Sequence, residues 1–132
     1  MRQPICCRTL LAVALAASAL SAAAQGGGLK RSVVERADIS VAGREAVVAR
    51  IEIEPGVTAG RHTHPGDEIA YVLEGEGELL IDGQTPRKVK AGDAFIIPAG
   101  IVHDAKNTGA TTIRVVGVYV LEKGLPLASP AK

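Results

Sequence analysis

His62, His64 and His103 are the only histidines among 132 residues, and neutral imidazole is the commonest protein ligand of transition metals. His62 and His64 are two residues apart, so on a strand both rings leave the same face and can reach one ion. Glu68 follows four residues after His64, beyond Pro65-Gly66-Asp67, where a turn would bring the carboxylate back beside the imidazoles. His103 comes from a distant stretch, just past Pro98-Ala99-Gly100. Three imidazoles and one carboxylate suit one divalent transition metal, whether Fe, Mn, Ni, Cu or Zn, with open positions if the ion takes five or six ligands. The bland alternative is a solvated His62-Thr63-His64 loop with His103 packed alone.

The chain that must position these groups has short apolar runs at 45–53, 69–73, 77–81, 94–97 and 113–121, cut by Gly, Pro and Asp. Runs of that length, rich in Val and Ile, predict strands, and no stretch predicts a helix of consequence. Val47, Ala49, Ile51 and Ile53 share one parity while Arg50, Glu52 and Glu54 share the other, which predicts a strand with one buried face. The run 113–121 is apolar at both parities except for Arg114 and Gly117, the pattern of a strand covered on both sides. Asp82-Gly83 predicts a two-residue hairpin turn. Many short strands with tight turns predict an all-β sandwich or small barrel.

Spacing weighs against the bland alternative. From Gly56, five residues lead to His62, one more to His64, three to Glu68 and six to Gly75. From Gly92, five lead to Pro98, one to Gly100, two to His103 and three to Asn107. Both strings match the two motifs of the cupin superfamily, and the chain resembles a small single-domain cupin of the quercetin-dioxygenase-like kind. The resemblance implies a double-stranded β-helix, or jelly-roll barrel, with a metal inside one mouth held by His62, His64, Glu68 and His103. It also implies a homodimer, because small cupins pair through sheet edges, with 29–37 as an added or exchanged edge strand.

Around the ligands, Ala70 and Val72 share Glu68's parity and are expected to line the substrate pocket. Arg114 shares parity with Val116, Val118 and Val120, so it is expected to face inward near the rim and hold an anionic substrate, a solvated rim position being the alternative. Tyr71 is expected on the face opposite Glu68, and Arg61 and Thr63 at the wrong parity to join the histidines. Glu74, Glu76 and Glu78 read as an exposed acidic stripe. Gly56, Gly75, Gly92 and Gly100 are expected where turns need positive φ, and Pro98 and Asn107 as residues that shape and pin the loop delivering His103.

At 13.6 kDa the chain allows one domain. Arg2 and Arg8 precede an apolar stretch at 10–20 and then Ala22-Ala23-Ala24, the layout of a secretory signal peptide over 1–24 with cleavage after Ala24 and a periplasmic or secreted product. The stretch is too short to span a bilayer, which needs about 20 apolar residues. Residues 25–40 are expected to be a flexible lead-in with the edge strand, 41–122 the cupin domain, and 123–132 a disordered tail. Both cysteines, Cys6 and Cys7, fall in the leader, which removes thiol chemistry from the exported chain. A formal charge of +1, with one Phe, two Tyr and no Trp, argues against nucleic acid and, once the leader is cleaved, against membrane. The expected partner is a small-molecule ligand or substrate. The function expected is a metal-dependent, dioxygenase-like oxidoreductase in which Glu68 can also serve as a catalytic base. A non-catalytic binding cupin, or a cupin lyase or isomerase, is the alternative, and fold cannot choose among them.

Overall fold

The computed structural model describes residues 27–132, and the segment read as a signal peptide, with Cys6 and Cys7, lies outside the described residues. Ten strands follow one another: β1 Leu29–Asp38, β2 Arg44–Ile53, β3 His62–Thr63, β4 Asp67–Glu74, β5 Glu76–Ile81, β6 Arg87–Lys90, β7 Ala94–Ile97, β8 His103–Asn107, β9 Ile113–Glu122 and β10 Ser129–Pro130. Among the described residues there is no helix. The strands form two antiparallel sheets of five, ordered β1-β2-β9-β4-β7 and β10-β3-β8-β5-β6. Their inner faces supply one apolar core, with Val47, Ile53, Val72, Ile97, Tyr119 and Leu121 almost wholly buried.

Period-two alternation sets which face of each strand joins that core. On β2 the inward set is Val47, Ala49, Ile51 and Ile53, as the alternation with Arg50 and Glu52 predicts. On β9 the inward set is Ile113, Val115, Gly117, Tyr119 and Leu121. That choice puts Arg114 on the outer face, correcting the expectation that it points inward. Its guanidinium donates to Glu74 and, at 3.2 Å, to Glu52, because Glu52 on β2 and Glu74 on β4 are its cross-strand partners and partners share a face.

Two further expectations are corrected and one is met in part. The 123–132 tail is ordered: Ser129 pairs with Thr63 and Pro130 with His62, and Ala131 N donates to Arg61 O at 3.0 Å. Its two prolines do not prevent this, since a short edge segment needs few backbone donors. Within 25–40 the expected edge strand is present, as Leu29–Asp38 pairs along β2 at the end of its sheet, and it takes up most of the expected lead-in. Asp82-Gly83 does make a tight turn, with Gln84 N donating to Ile81 O at 3.0 Å and Gly83 at φ +76°. It is not a two-residue hairpin, because β6 starts only at Arg87 and Ile81 pairs instead with His103 on β8.

Asn107 ties the two sheets together. Fully buried at the end of β8, it donates through Nδ2 to Ile53 O and Thr111 O, both at 2.8 Å, and accepts from Gly109 N at 2.9 Å.

Candidate metal centre

Both sheets deliver side chains to one point. His62 on β3 and His103 on β8 are antiparallel partners, which places their ring centroids 4.3 Å apart. The His64 ring lies 4.8 Å from His62 and 5.2 Å from His103. One ligand nitrogen from each of the three falls within 4.8 Å of the other two. From the facing sheet, Glu68 on β4 brings Oε2 to 3.3 Å from His64 Nε2 and 3.0 Å from His103 Nε2. Tyr119 on β9 pairs with Glu68 across the ladder, donates its hydroxyl to Glu68 Oε1 at 3.1 Å and packs its ring 4.6 Å from His64.

Two turns hold these groups in place. The chain between His64 and Glu68 crosses the backbone of β9 so closely that a Cβ on Gly66 would lie 1.9 Å from Val120 O. That turn is fastened to the one before His103, for Ala99 N donates to Asp67 Oδ1 at 3.0 Å and Gly100 N to His64 O at 2.9 Å. On β9, Gly117 leaves the space that the Tyr119 ring occupies, since a Cβ there would meet the Tyr119 hydroxyl at 2.7 Å. Gly56, Gly75, Gly92 and Gly100 all have positive φ, between +76° and +93°.

The backbone assigns the proton on every imidazole. Nδ1 of His62 faces Gly60 O at 2.6 Å, that of His64 faces Leu127 O at 2.6 Å, and that of His103 faces Ile101 O at 2.9 Å. A carbonyl can only accept, so each Nδ1 carries the hydrogen and each neutral ring presents its Nε2 lone pair. His64 Nε2, His103 Nε2 and Glu68 Oε2 are buried and have no hydrogen-bonded partner. Their separations of 3.0 and 3.3 Å are short enough for hydrogen bonds, but with the hydrogen on Nδ1 neither neutral ring has one to donate from Nε2. Lone pairs from imidazole and carboxylate that converge without bonding one another fit a divalent transition ion.

Burial and mutual charge set the protonation of the ion-free site. Burial, helped by the neighbouring His103 and His64, lowers the His62 pKa to about 4. For Glu68, burial pulls upward, but its contacts with His103 and His64 outweigh it and hold the carboxyl well below its usual range. Burial opposes protonation of His103, and the Glu68 carboxylate overrides it and raises the pKa. Burial and the same carboxylate push the Tyr119 hydroxyl upward, so it remains a donor.

Beside this cluster is a cavity of about 40 Å³. Ile51, Ile53, Phe95 and Val115 form apolar walls, and His62, Glu68, His103, Tyr119 and Arg31 supply its polar groups. Ala70 and Val72, expected to line it, do face inward but are sealed in the core at 1% exposure each, beyond the cavity wall. They lie further along β4, which runs away from the site as it leaves Glu68. Tyr71 is on the outer face at 49% exposure, and Arg61 is turned away to Asp82 at 2.7 Å. Glu74 and Glu76 are exposed and Glu78 is half-buried. A larger surface recess, about 520 Å³, lies elsewhere among Glu76, Glu78, Lys88 and Lys90 and has no histidine.

Sequence reasoning missed Tyr119 and Arg31. For Tyr119 a signal existed: it has the parity opposite to the charged Arg114, and a glycine stands two residues before it. For Arg31 there was none, because nothing near it announces which strand it pairs with.

The family model Cupin_2, a cupin domain, matches residues 49–119. Over 74 residues the chain is 38% identical to the oxalate-binding protein of Thermotoga maritima, which is 55% of this chain and 60% of that protein. Over 58 residues it is 40% identical to acireductone dioxygenase of Rhodopseudomonas palustris, 42% of this chain and 35% of that one. The chain therefore spans only between about a third and three-fifths of these curated relatives. Among solved structures, a Klebsiella pneumoniae protein with a double-stranded β-helix domain superposes with a TM-score of 0.67 at 29% identity, covering 81% of this chain and 87% of that one. With two antiparallel sheets, no helix among the described residues and a histidine cluster that can hold a metal between them, the chain is an all-β double-stranded β-helix and belongs to the cupin family.

Proposed function

We propose that this chain is an exported cupin that binds one divalent transition metal through His62, His64, Glu68 and His103 and acts on a small organic substrate as a dioxygenase-like oxidoreductase. The observation that carries the reading is the convergence of three Nε2 lone pairs, fixed by three backbone carbonyls, with a buried carboxylate oxygen that has no other partner. Bound there, a metal supplies Lewis acidity and, for Fe, Mn or Cu, electron chemistry. The chain's own groups supply the rest. Ile51, Phe95 and Val115 exclude water from the reacting volume. Glu68 is ionised at neutral pH, and Tyr119 holds one of its oxygens. A carboxylate held below its usual pKa removes protons only from acidic positions, so the proposed substrates are small enolisable compounds such as diketones. The acireductone dioxygenase relative supports this direction.

The test is elemental analysis of protein recovered from its native compartment, followed by oxygen uptake with small diketones. One metal per chain and substrate-dependent oxygen consumption are expected, and a fully metallated protein that consumes none would overturn the oxidoreductase reading. An N-terminus at Gln25 in the same preparation tests export.

A second reading, retention of a small ligand without turnover, is favoured by the small cavity and by the relative from Thermotoga maritima named for oxalate binding. Tight binding of an oxygen-donor ligand by a metallated chain that leaves it unchanged would select it.

Two copies are proposed to associate through the outer face of the β1-containing sheet. Ile69, Tyr71, Leu73 and Ile96 are exposed there on adjacent strands, beside the half-buried Val116 and Val118, and a second copy would cover these apolar side chains.

A further inference from the structure

We propose that Arg31 is the anion-binding residue of this site and that the ligand it selects is a short carboxylate. The inference rests on the metal-binding reading above and adds the chemical class of the ligand. Arg31 lies on β1 opposite Ile51 of β2. Antiparallel partners point to the same face, and Ile51 is 6% exposed and lines the cavity. Arg31 is accordingly half-buried while Lys30 and Val33–Asp38 are exposed, and it lines the cavity together with His62, Glu68, His103 and Tyr119.

What singles Arg31 out is a buried donor with no carboxylate beside it: Arg44, Arg50 and Arg87 also lack an ion pair but are exposed to water, whereas the Arg31 side chain turns to the Tyr119 hydroxyl and leaves its Nε unpaired. Arg36 pairs with Glu45, Arg61 with Asp82, and Arg114 with Glu52 and Glu74. Among the described residues no carboxylate pairs with Arg31, and its Nε is buried with no hydrogen-bond partner. A guanidinium donor withdrawn from water without an acceptor is costly, so a site that keeps one is shaped for a ligand that supplies it. Overall charge agrees. A divalent ion among three neutral imidazoles, with the Glu68 carboxylate and the Arg31 cation, leaves the cavity doubly positive, and only an anion balances it. Size and shape narrow the class. The cavity, about 40 Å³, is small and restricts the ligand to a short one. The planar fork of Arg binds a carboxylate through two parallel hydrogen bonds.

The experiment is calorimetric titration of the metal-loaded full chain with acetate and with oxalate, using acetamide as the uncharged probe and elemental analysis of every sample. Acetate and oxalate are expected to bind and acetamide not to. Arg31→Gln is expected to weaken both carboxylates at least tenfold with metal content unchanged. Arg31→Lys, which keeps the charge but loses the fork, should fall between, and it decides the matter if the glutamine variant does not fold. Arg114→Gln should behave as the wild type. Undiminished carboxylate affinity in a metallated Arg31→Gln chain, or equal binding of acetamide, would overturn the proposal. A wild-type chain that takes up no metal would overturn the metal-binding reading instead. In that chain, weaker acetate binding in Arg31→Gln would still support the anion seat, and equal binding would overturn both.

Discussion

Each of the three imidazoles gives its Nδ1 hydrogen to a carbonyl, from Gly60, Leu127 and Ile101, so the ring faces that meet are all acceptors. Such a cluster binds a metal in competition with protons, and the shifts show which ring governs the competition. His62, lowered to about 4, is already neutral through the physiological range. His103 is raised above its ordinary 6.5, so its contact with Glu68 stabilises the ion-free fold below that ordinary value and ceases to do so as pH rises through the raised one. A metal must displace this proton. The rise in Tm on adding metal should therefore be larger at about pH 8 than at about pH 6, as scanning calorimetry of ion-free and loaded protein would show. Equal increments would mean that His103 does not exchange a proton for the ion. At this scale the histidines and Glu68 were legible because one-dimensional spacing carries them. Tyr119 was marked more weakly, since on a strand apolar at both parities only the charge at Arg114 and the gap at Gly117 point to the inward face.

Strands and their ends carry the second level of control. Asn107 holds three backbone groups from separate segments, at Ile53, Thr111 and Gly109. Asn107→Ala leaves them buried without partners, and a loss of about 3 kcal/mol is expected by denaturant unfolding. A loss under about 1 kcal/mol would show that water replaces the amide. The C-terminal segment with β10 orients His64 through Leu127 O and pairs with β3. Deleting 124–132 should lower metal affinity roughly 10- to 100-fold, the effect of losing a partner that orients a ligand, while far-UV circular dichroism stays that of the intact sheets. Unchanged affinity would leave Leu127 no part in holding the ring. A disordered tail was the natural expectation from Pro126, Pro130 and a Gly at 124, because composition cannot register that β3 needs an edge partner.

For the whole molecule, the outer face of one sheet exposes Ile69, Tyr71, Leu73 and Ile96, the last at 66%. Sedimentation should give a dimer, and Ile96→Lys should shift the mass to a monomer without altering metal content. A monomeric wild type would remove the pairing. The two-sided apolar pattern of β9 had suggested cover on both faces. Within one chain the outer face has none, and Val116, Val118 and Val120 are only half-buried.

Short apolar runs cut by turns were enough to predict an all-β fold, because turns and alternation are local and survive in linear order, and the two glycine-punctuated strings, with His62, His64 and Glu68 in one and His103 in the other, carried the family resemblance that joined the histidines. Which arginine enters the cavity was not local. Arg114 and Arg31 are both basic residues on long strands, and the difference between them is the neighbour each meets across the ladder. Arg114 meets Glu52 and Glu74 on the outer face, and Arg31 meets Ile51 on the inner one. Strand pairing between distant segments sets those neighbours, and pairing register exists only once the chain has folded.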